Sequence, residues 1–319
     1  MRETTSPSEP RIRSPDKTGI DRAADLLAAG QLVAVPTETV YGLAARADRD
    51  AAVAAIYTAK GRPAHNPLIV HVPSLDAAER IARFDDRGRQ LAQAFWPGPL
   101  TLVLPSIEKA GLAASVTAGL RTIAVRVPAH PVFRRLLERC DFPVAAPSAN
   151  RSGAISPTLP SHVAQSLAGR DVLILDGGAC EAGLESTIVA IRENGWEILR
   201  PGPIDSAAIE KILGVPGTFH PSSKIEAPGQ LASHYSPGKP VRLDVTSIEP
   251  DEFLIGFARV SGDYSLSPSG DLNEAGSRLY EALHRAAASD RPRIAVAPIP
   301  PHGLGIAIRD RLKRAATPA

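Results

Sequence analysis

Cysteine is nearly absent from this 319-residue chain. Cys140 and Cys180 form no CxxC pair, which speaks against a structural zinc site or a disulfide framework and fits a reducing compartment. Long apolar runs are also missing: no stretch reaches the length of a membrane span, and the N-terminus has no signal-peptide core. A cytoplasmic protein without a membrane is the expectation. Charge of one sign is not in excess either, with 36 Lys and Arg against 34 Asp and Glu. No broad basic field demands a nucleic acid, and basic residues are not interleaved with aromatic ones, so any tRNA contact is expected to be weak or indirect. Missing too are G-x-x-x-x-G-K-[ST], a complete G-x-G-x-x-G, G-x-S-x-G and H-E-x-x-H. The common nucleotide-binding and hydrolase devices are therefore excluded.

What is present is a soluble α/β pattern. Residues 1–15 are polar, rich in Pro, Ser and Arg, and expected to be a disordered tail. From 16 to 213 strands and helices alternate irregularly, with a hairpin signal at Asn194-Gly195, which predicts a twisted mixed sheet with flanking helices. Residues 214–240 turn to Pro, Gly and Ser and lose their apolar period, so they read as a linker. That linker carries an uncommon His234-Tyr235 pair. Residues 241–319 return to strand and helix patterns and form a small Rossmann-like α/β unit. Gly303-Leu304-Gly305 lacks a third glycine and reads as a strand-to-helix turn.

The chemistry collects at element ends. Lys60 and Arg62 flank Gly61 where a helix ends, just before the apolar run that closes on His71. Such cations suit a phosphate, although they also complement a helix C-terminus. Pro36 to Leu43 brings Thr37, Glu38, Thr39 and Tyr41 to a strand end, as part of a ligand site or as a turn that satisfies its own backbone. Arg126 stands among apolar strand residues and requires either a neighbouring carboxylate or an anionic ligand in a cleft. Ser148-Ala149-Asn150 with Gly153 makes a turn able to offer donors to an anion, and Arg200 opens an R-P-G-P turn. Several cations facing a few hydroxyls fit a multiply anionic ligand, and no Ser-His-Asp or Cys-His set points to a covalent intermediate.

Taken together, P-T-E-T-V-Y-G-L, K-G-R-P-A-H-N-P-L-I-V-H, S-A-N and L-R-P-G-P resemble the YrdC-like family of threonylcarbamoyl-AMP synthases. The P-G-Q-L-A-S-H-Y-S-P linker and the small C-terminal unit resemble its long, two-domain form. The resemblance implies a YrdC-like sheet with a concave cationic site. It also implies the conversion of L-threonine, bicarbonate and ATP, with Mg²⁺, to threonylcarbamoyl-AMP and pyrophosphate. The product would serve a separate tRNA transferase that modifies the adenosine next to the anticodon. By position, the resemblance assigns catalysis to Lys60, Arg62, Ser148 and Asn150. ATP would be held by Lys60, Arg62, Asn66, Thr122, Ser148, Ser156, Arg200 and Tyr235, the last closing from the linker. L-threonine would be lined by Thr39, His71, Arg126, Ala146 and Ser186; no metal ligand is assigned. An RNA-binding module without synthase activity is the alternative. The carbamoyl-transferring hydrogenase-maturation branch carries zinc-finger cysteines that this chain lacks.

Overall fold

The structure, a computed structural model, describes residues 11–218, 226–230 and 233–318. The large unit begins with β1 (Arg11–Arg13), α1 (Lys17–Ala28), β2 (Val33–Val35), β3 (Gly42–Arg46), α2 (Asp50–Lys60), β4 (Ile69–His71), α3 (Leu75–Glu79) and α4 (Asp86–Phe95). It continues through β5 (Leu100–Pro105), β6 (Thr122–Arg126), α5 (Pro131–Arg139), β7 (Val144–Ala145), α6 (Pro160–Ser166) and β8 (Leu173–Leu175). The hairpin of β9 (Thr187–Arg192) and β10 (Gly195–Arg200) and helix α7 (Ser206–Leu213) complete it.

These strands form one sheet in the order β1-β8-β2-β3-β7-β4-β6-β5-β9-β10, with parallel and antiparallel pairs mixed. Helix α1 starts where Asp16 accepts the Gly19 N–H, and α4 where Asp85 accepts that of Gly88, so short acidic side chains satisfy orphan donors at both starts. Val53 and Ile56 of α2 and Leu91 of α4 bury against Val70, Leu102 and Val125 of the sheet. Leu27 of α1 with Phe133 and Leu136 of α5 covers Val33, Val35 and Val144.

The Asn194-Gly195 hairpin is found as expected, and its register carries an irregularity between Ile198 and Arg200. Such a bulge re-aims the side chain that follows it. Strand β3 was not expected: G-L-A-A-R has no β-branched residue, and pairing with β2 and β7 decides its state. The tail expectation needs correction. Arg11–Arg13 pair in parallel with Leu173–Leu175 as an exposed edge strand, because backbone ladder bonds do not require apolar side chains. Residues 1–10, also expected to be disordered, lie outside the described residues, as do 219–225 and 231–232 of the expected linker.

The small unit comprises β11 (Val241–Arg242), β12 (Glu252–Gly256), β13 (Tyr264–Ser265), α8 (Leu272–Ala288), β14 (Arg293–Val296) and α9 (Gly305–Ala316). Its four strands, in the order β11-β14-β12-β13, are all parallel. Leu279, Tyr280 and Leu283 of α8 pack on Ile255, Ile294 and Val296, and the same apolar cluster includes Val40, Ile155 and Leu184 of the large unit. The two units therefore share a core. Gly183 marks how close they lie: a Cβ there would stand 2.5 Å from the Ser277 backbone. Among the described residues, no helix is long and apolar enough to cross a membrane.

Candidate active site

The ends of β4, β6, β7 and β10 and the start of β9 converge on one cleft, the position where open α/β sheets place ligands. Its floor holds His71 and Arg126, which are register partners on adjacent parallel strands. Arg126 is buried and donates to Glu38 Oε1 at 2.6 Å, Thr39 Oγ1 at 3.0 Å and the Gly98 carbonyl at 3.2 Å. Both readings of Arg126 hold at once, because it meets a carboxylate and also lines the cleft. Burial raises the Glu38 carboxyl, but the charge and hydrogen bond of Arg126 outweigh it and leave a net lowering. Glu38 is therefore the ionised partner that lets an arginine stand in a buried site. The two readings of the threonine turn also coexist: the Thr37 hydroxyl accepts from the Thr39 and Val40 amides, while Thr39 serves Arg126.

Opposite stand the cations of the α2 end. Gly61 takes the left-handed conformation (φ 60°) and turns the chain out of the helix, which throws Arg62 toward the cleft. Arg62 Nε and Nη2 hold the Asn66 and Pro67 carbonyls at 3.1 and 2.9 Å, leaving the remaining guanidinium donors for a ligand. Burial brings its pKa down to about 10, with Tyr57 opposing the shift and the Arg200 charge adding to it. Lys60 does not line the cleft. Its ammonium clamps the Ser148 and Asn150 carbonyls at 2.5 Å each, and burial, then Arg62, push its pKa well down. It ties the S-A-N turn to the end of α2. The Asn150 amide donates to the carbonyls of Arg151 and Ala154.

Arg200, re-aimed by the β10 irregularity, donates to the Ser186 carbonyl at 2.9 Å, the Ser186 hydroxyl at 3.1 Å and the Pro228 carbonyl at 3.4 Å. It thereby joins a residue expected at the nucleotide to one expected at threonine. The described linker roofs the cleft with Pro228, Gly229, His234 and Tyr235. Tyr235 is 1% exposed at a φ of 63°, a left-handed conformation that costs a bulky residue about 1–2 kcal/mol.

Under this roof the cavity measures about 40 Å³, where ligand pockets typically occupy several hundred. The described structure is thus a closed one. Four buried side-chain atoms around it lack any hydrogen-bond partner: Asn66 Oδ1, His71 Nδ1, Asn150 Oδ1 and His234 Nδ1. Burial, then Arg126, holds the His71 imidazole well below its ordinary pKa, so it is neutral and can accept a hydrogen bond.

Of the residues expected from sequence, Thr39, Arg62, His71, Arg126, Ala146, Ser148, Ser186, Arg200 and Tyr235 line the cleft, while Lys60, Asn66, Asn150 and Ser156 stand directly behind it. Thr122 does not join them. It is half-buried at the start of β6, four residues or about 13 Å of strand from Arg126. Sequence reasoning missed Glu185, which lines the cleft, and its partners Tyr280 and Arg311. A carboxylate directly before Ser186 was the available signal for Glu185; its partners, 95 and 126 residues away, left none.

The family described as Telomere recombination matches residues 25–202, and that described as Threonylcarbamoyl-AMP synthase, C-terminal domain, matches residues 204–317. Threonylcarbamoyl-AMP synthase of Bacillus subtilis is 39% identical, over 93% of this chain and 92% of the relative. The Pyrococcus abyssi synthase is 38% identical, over 92% and 93%. A crystal structure of P. abyssi Sua5 complexed with L-threonine superposes with a TM-score of 0.88 at 35% identity, covering 97% of each chain. The chain belongs to the threonylcarbamoyl-AMP synthase family, in the form that carries the family's C-terminal domain.

Proposed function

We propose that this protein joins L-threonine, bicarbonate and ATP into threonylcarbamoyl-AMP and pyrophosphate, for modification of tRNA next to the anticodon. The observation that carries the reading is the convergence of Arg62, Arg126 and Arg200 with four unpartnered buried polar atoms on one covered cleft. Buried polar atoms are rarely left unpaired, so the arginine donors call for anionic groups on the ligand and the Asn66 and Asn150 oxygens call for ligand donors, such as a hydroxyl or an amine. Arg126, seated on Glu38, would take the threonine carboxylate, with Thr39, Ser186 and the neutral His71 around the amine and hydroxyl. Arg62 and Arg200 would hold the triphosphate, with Ser148 of the turn that Lys60 clamps, while the free oxygens of Asn66 and Asn150 would accept from hydroxyl or amine donors of the nucleotide.

The threonine ammonium first gives up a proton to solvent, and the neutral amine nitrogen then bonds to the bicarbonate carbon as water leaves, which yields the carbamate. An oxygen of the resulting carbamate then attacks the α-phosphorus, and the bond to pyrophosphate breaks. The named residues would contribute by alignment and by neutralising charge as it develops. Carbamate and mixed anhydride are both labile in water, which gives the roof of His234 and Tyr235 its purpose.

Mg²⁺ would arrive with ATP as substrate and neutralise the leaving pyrophosphate. Among the described residues, no cluster of three His, Cys, Asp or Glu side chains is built for a resident ion. A cytoplasmic setting and hand-over to a separate tRNA transferase complete the proposal. Isotope-labelled bicarbonate, supplied with ATP and L-threonine, is expected to appear in a threonylcarbamoyl adenylate detected by mass. ATP consumption that yields only unlabelled AMP or ADP overturns the reading.

A further inference from the structure

Arg311 lies on α9 of the small unit, yet it is 0% exposed. Its Nε donates to Glu185 Oε2 at 2.9 Å, Nη1 to Asp310 at 2.6 Å and Nη2 to the Pro201 carbonyl at 2.9 Å. Glu185 lines the active cleft one residue before Ser186. It also accepts the Tyr280 hydroxyl of α8 at 2.8 Å and the Ser156 hydroxyl at 2.6 Å. The roof closes onto the same group: the Arg311 guanidinium stands 5.5 Å from the Tyr235 ring centroid, and the Tyr280 ring likewise. A charge buried this deeply persists only when its partners are fixed. The small unit thus places two side chains at the wall of a site whose ligand-facing residues all come from the large unit and the linker.

We infer that the small unit is part of the active site, with Arg311 and Tyr280 as positioning residues that hold Glu185 against Ser156 and seat the roof tyrosine. The inference deepens the proposed synthase reading and rests on it. Proton counting adds a consequence for the ligand. Ser156 has one hydroxyl hydrogen, and it is committed to Glu185. Toward the nucleotide Ser156 offers lone pairs alone, so it accepts from a ribose hydroxyl or the adenine amine and does not donate to a phosphate oxygen. Glu185 is ionised in this setting. Burial raises its pKa, but Arg311 and Arg200 together with the Ser156 and Arg311 hydrogen bonds bring it down to about 2.

The test uses the full chain in five forms: wild type, Tyr280→Phe, Glu185→Gln, Arg311→Met and the double variant Glu185→Gln/Arg311→Met. ATP affinity by calorimetry, KM for ATP and for threonine, kcat and Tm are measured for each. Tyr280→Phe is expected to weaken ATP binding about tenfold, as for one lost hydrogen bond to a carboxylate, while threonine affinity moves little. Each charge-removing single variant lowers Tm by stranding a buried charge. The double variant, with neither charge, recovers most of that Tm and keeps the raised KM for ATP. Recovery of KM together with Tm would show a role in stability alone and overturn the inference, as would wild-type ATP affinity in Tyr280→Phe. A wild-type chain that binds neither ATP nor threonine overturns the functional reading and this inference with it. Wild-type binding with unaltered variants overturns the inference alone.

Discussion

Single side chains decide how the site manages its charge. Three arginines approach one cavity, and each is held by fixed oxygens: Arg62 by carbonyls, Arg126 by Glu38 and Arg200 by Ser186. Their remaining donors are already aimed before any ligand arrives, which reduces the reorganisation that binding requires. Asn66 is the cleanest residue to test. Its backbone carbonyl serves Arg62 and Tyr57, while its side-chain oxygen is buried without a partner. That oxygen can accept from a ribose hydroxyl or the adenine amine, so Asn66→Ala should keep Tm near wild type and raise KM for ATP about fivefold, the equivalent of one neutral hydrogen bond. Steady-state kinetics beside thermal unfolding separates the two effects; a large Tm loss with unaltered KM would assign Asn66 to the scaffold. The cations of this site were legible in the sequence because arginine is seldom left among apolar strand residues without cause. Glu38 was legible only as a strand-end carboxylate, since its pairing spans 88 residues.

Elements set where those side chains point. The left-handed turn at Gly61 and the irregularity in β10 aim Arg62 and Arg200, and the linker covers both. Gly229 shows how closely the cover fits. At φ 86°, a Cβ there would stand 2.8 Å from Arg200 Cδ and 3.3 Å from the Tyr235 hydroxyl. Gly229→Ala is expected to hold the cover off Arg200 and lower kcat by about tenfold, an increase of ~1.4 kcal/mol in the barrier. Gly214→Ala is the control. It carries comparable left-handed strain (φ 69°) with no atom within 4 Å, so it should lower stability and leave kcat unchanged. Equal kcat losses in the two variants would show that backbone strain, rather than fit against Arg200, governs the cover. Hairpin, helices α5 and α7 and the linker could be read from turn residues and apolar periods. Strands β1 and β3 could not, because partners distant in the chain make them strands.

The whole molecule adds what neither residue nor element shows, namely that two units share one core and one wall of the site. Their contact includes His162 of α6 stacked on His284 of α8, with ring centroids 3.8 Å apart and planes 18° from parallel. Burial, then His284, pushes the His162 pKa down to about 3, and burial lowers that of His284. Both imidazoles are neutral in the folded state at neutral pH, whereas the unfolded chain takes up protons below its ordinary histidine pKa of 6.5. Stability from this contact is complete above pH 6.5 and declines as pH falls toward the folded values, by up to about 1.4 kcal/mol per pH unit for each group. Unfolding measured across pH 7 to 4 should show a shallower decline in His162→Phe, which keeps the ring without the proton. An unaltered slope would place the acid sensitivity elsewhere, for instance at His234, which burial also brings to about 3. The central claim concerns the molecule as a synthase, and the most direct measurement is pyrophosphate release from ATP and bicarbonate across the amino acids. The account predicts release that depends on L-threonine and that is lost in Arg62→Ala. Release at the same rate with every amino acid, or at the wild-type rate in Arg62→Ala, would contradict it.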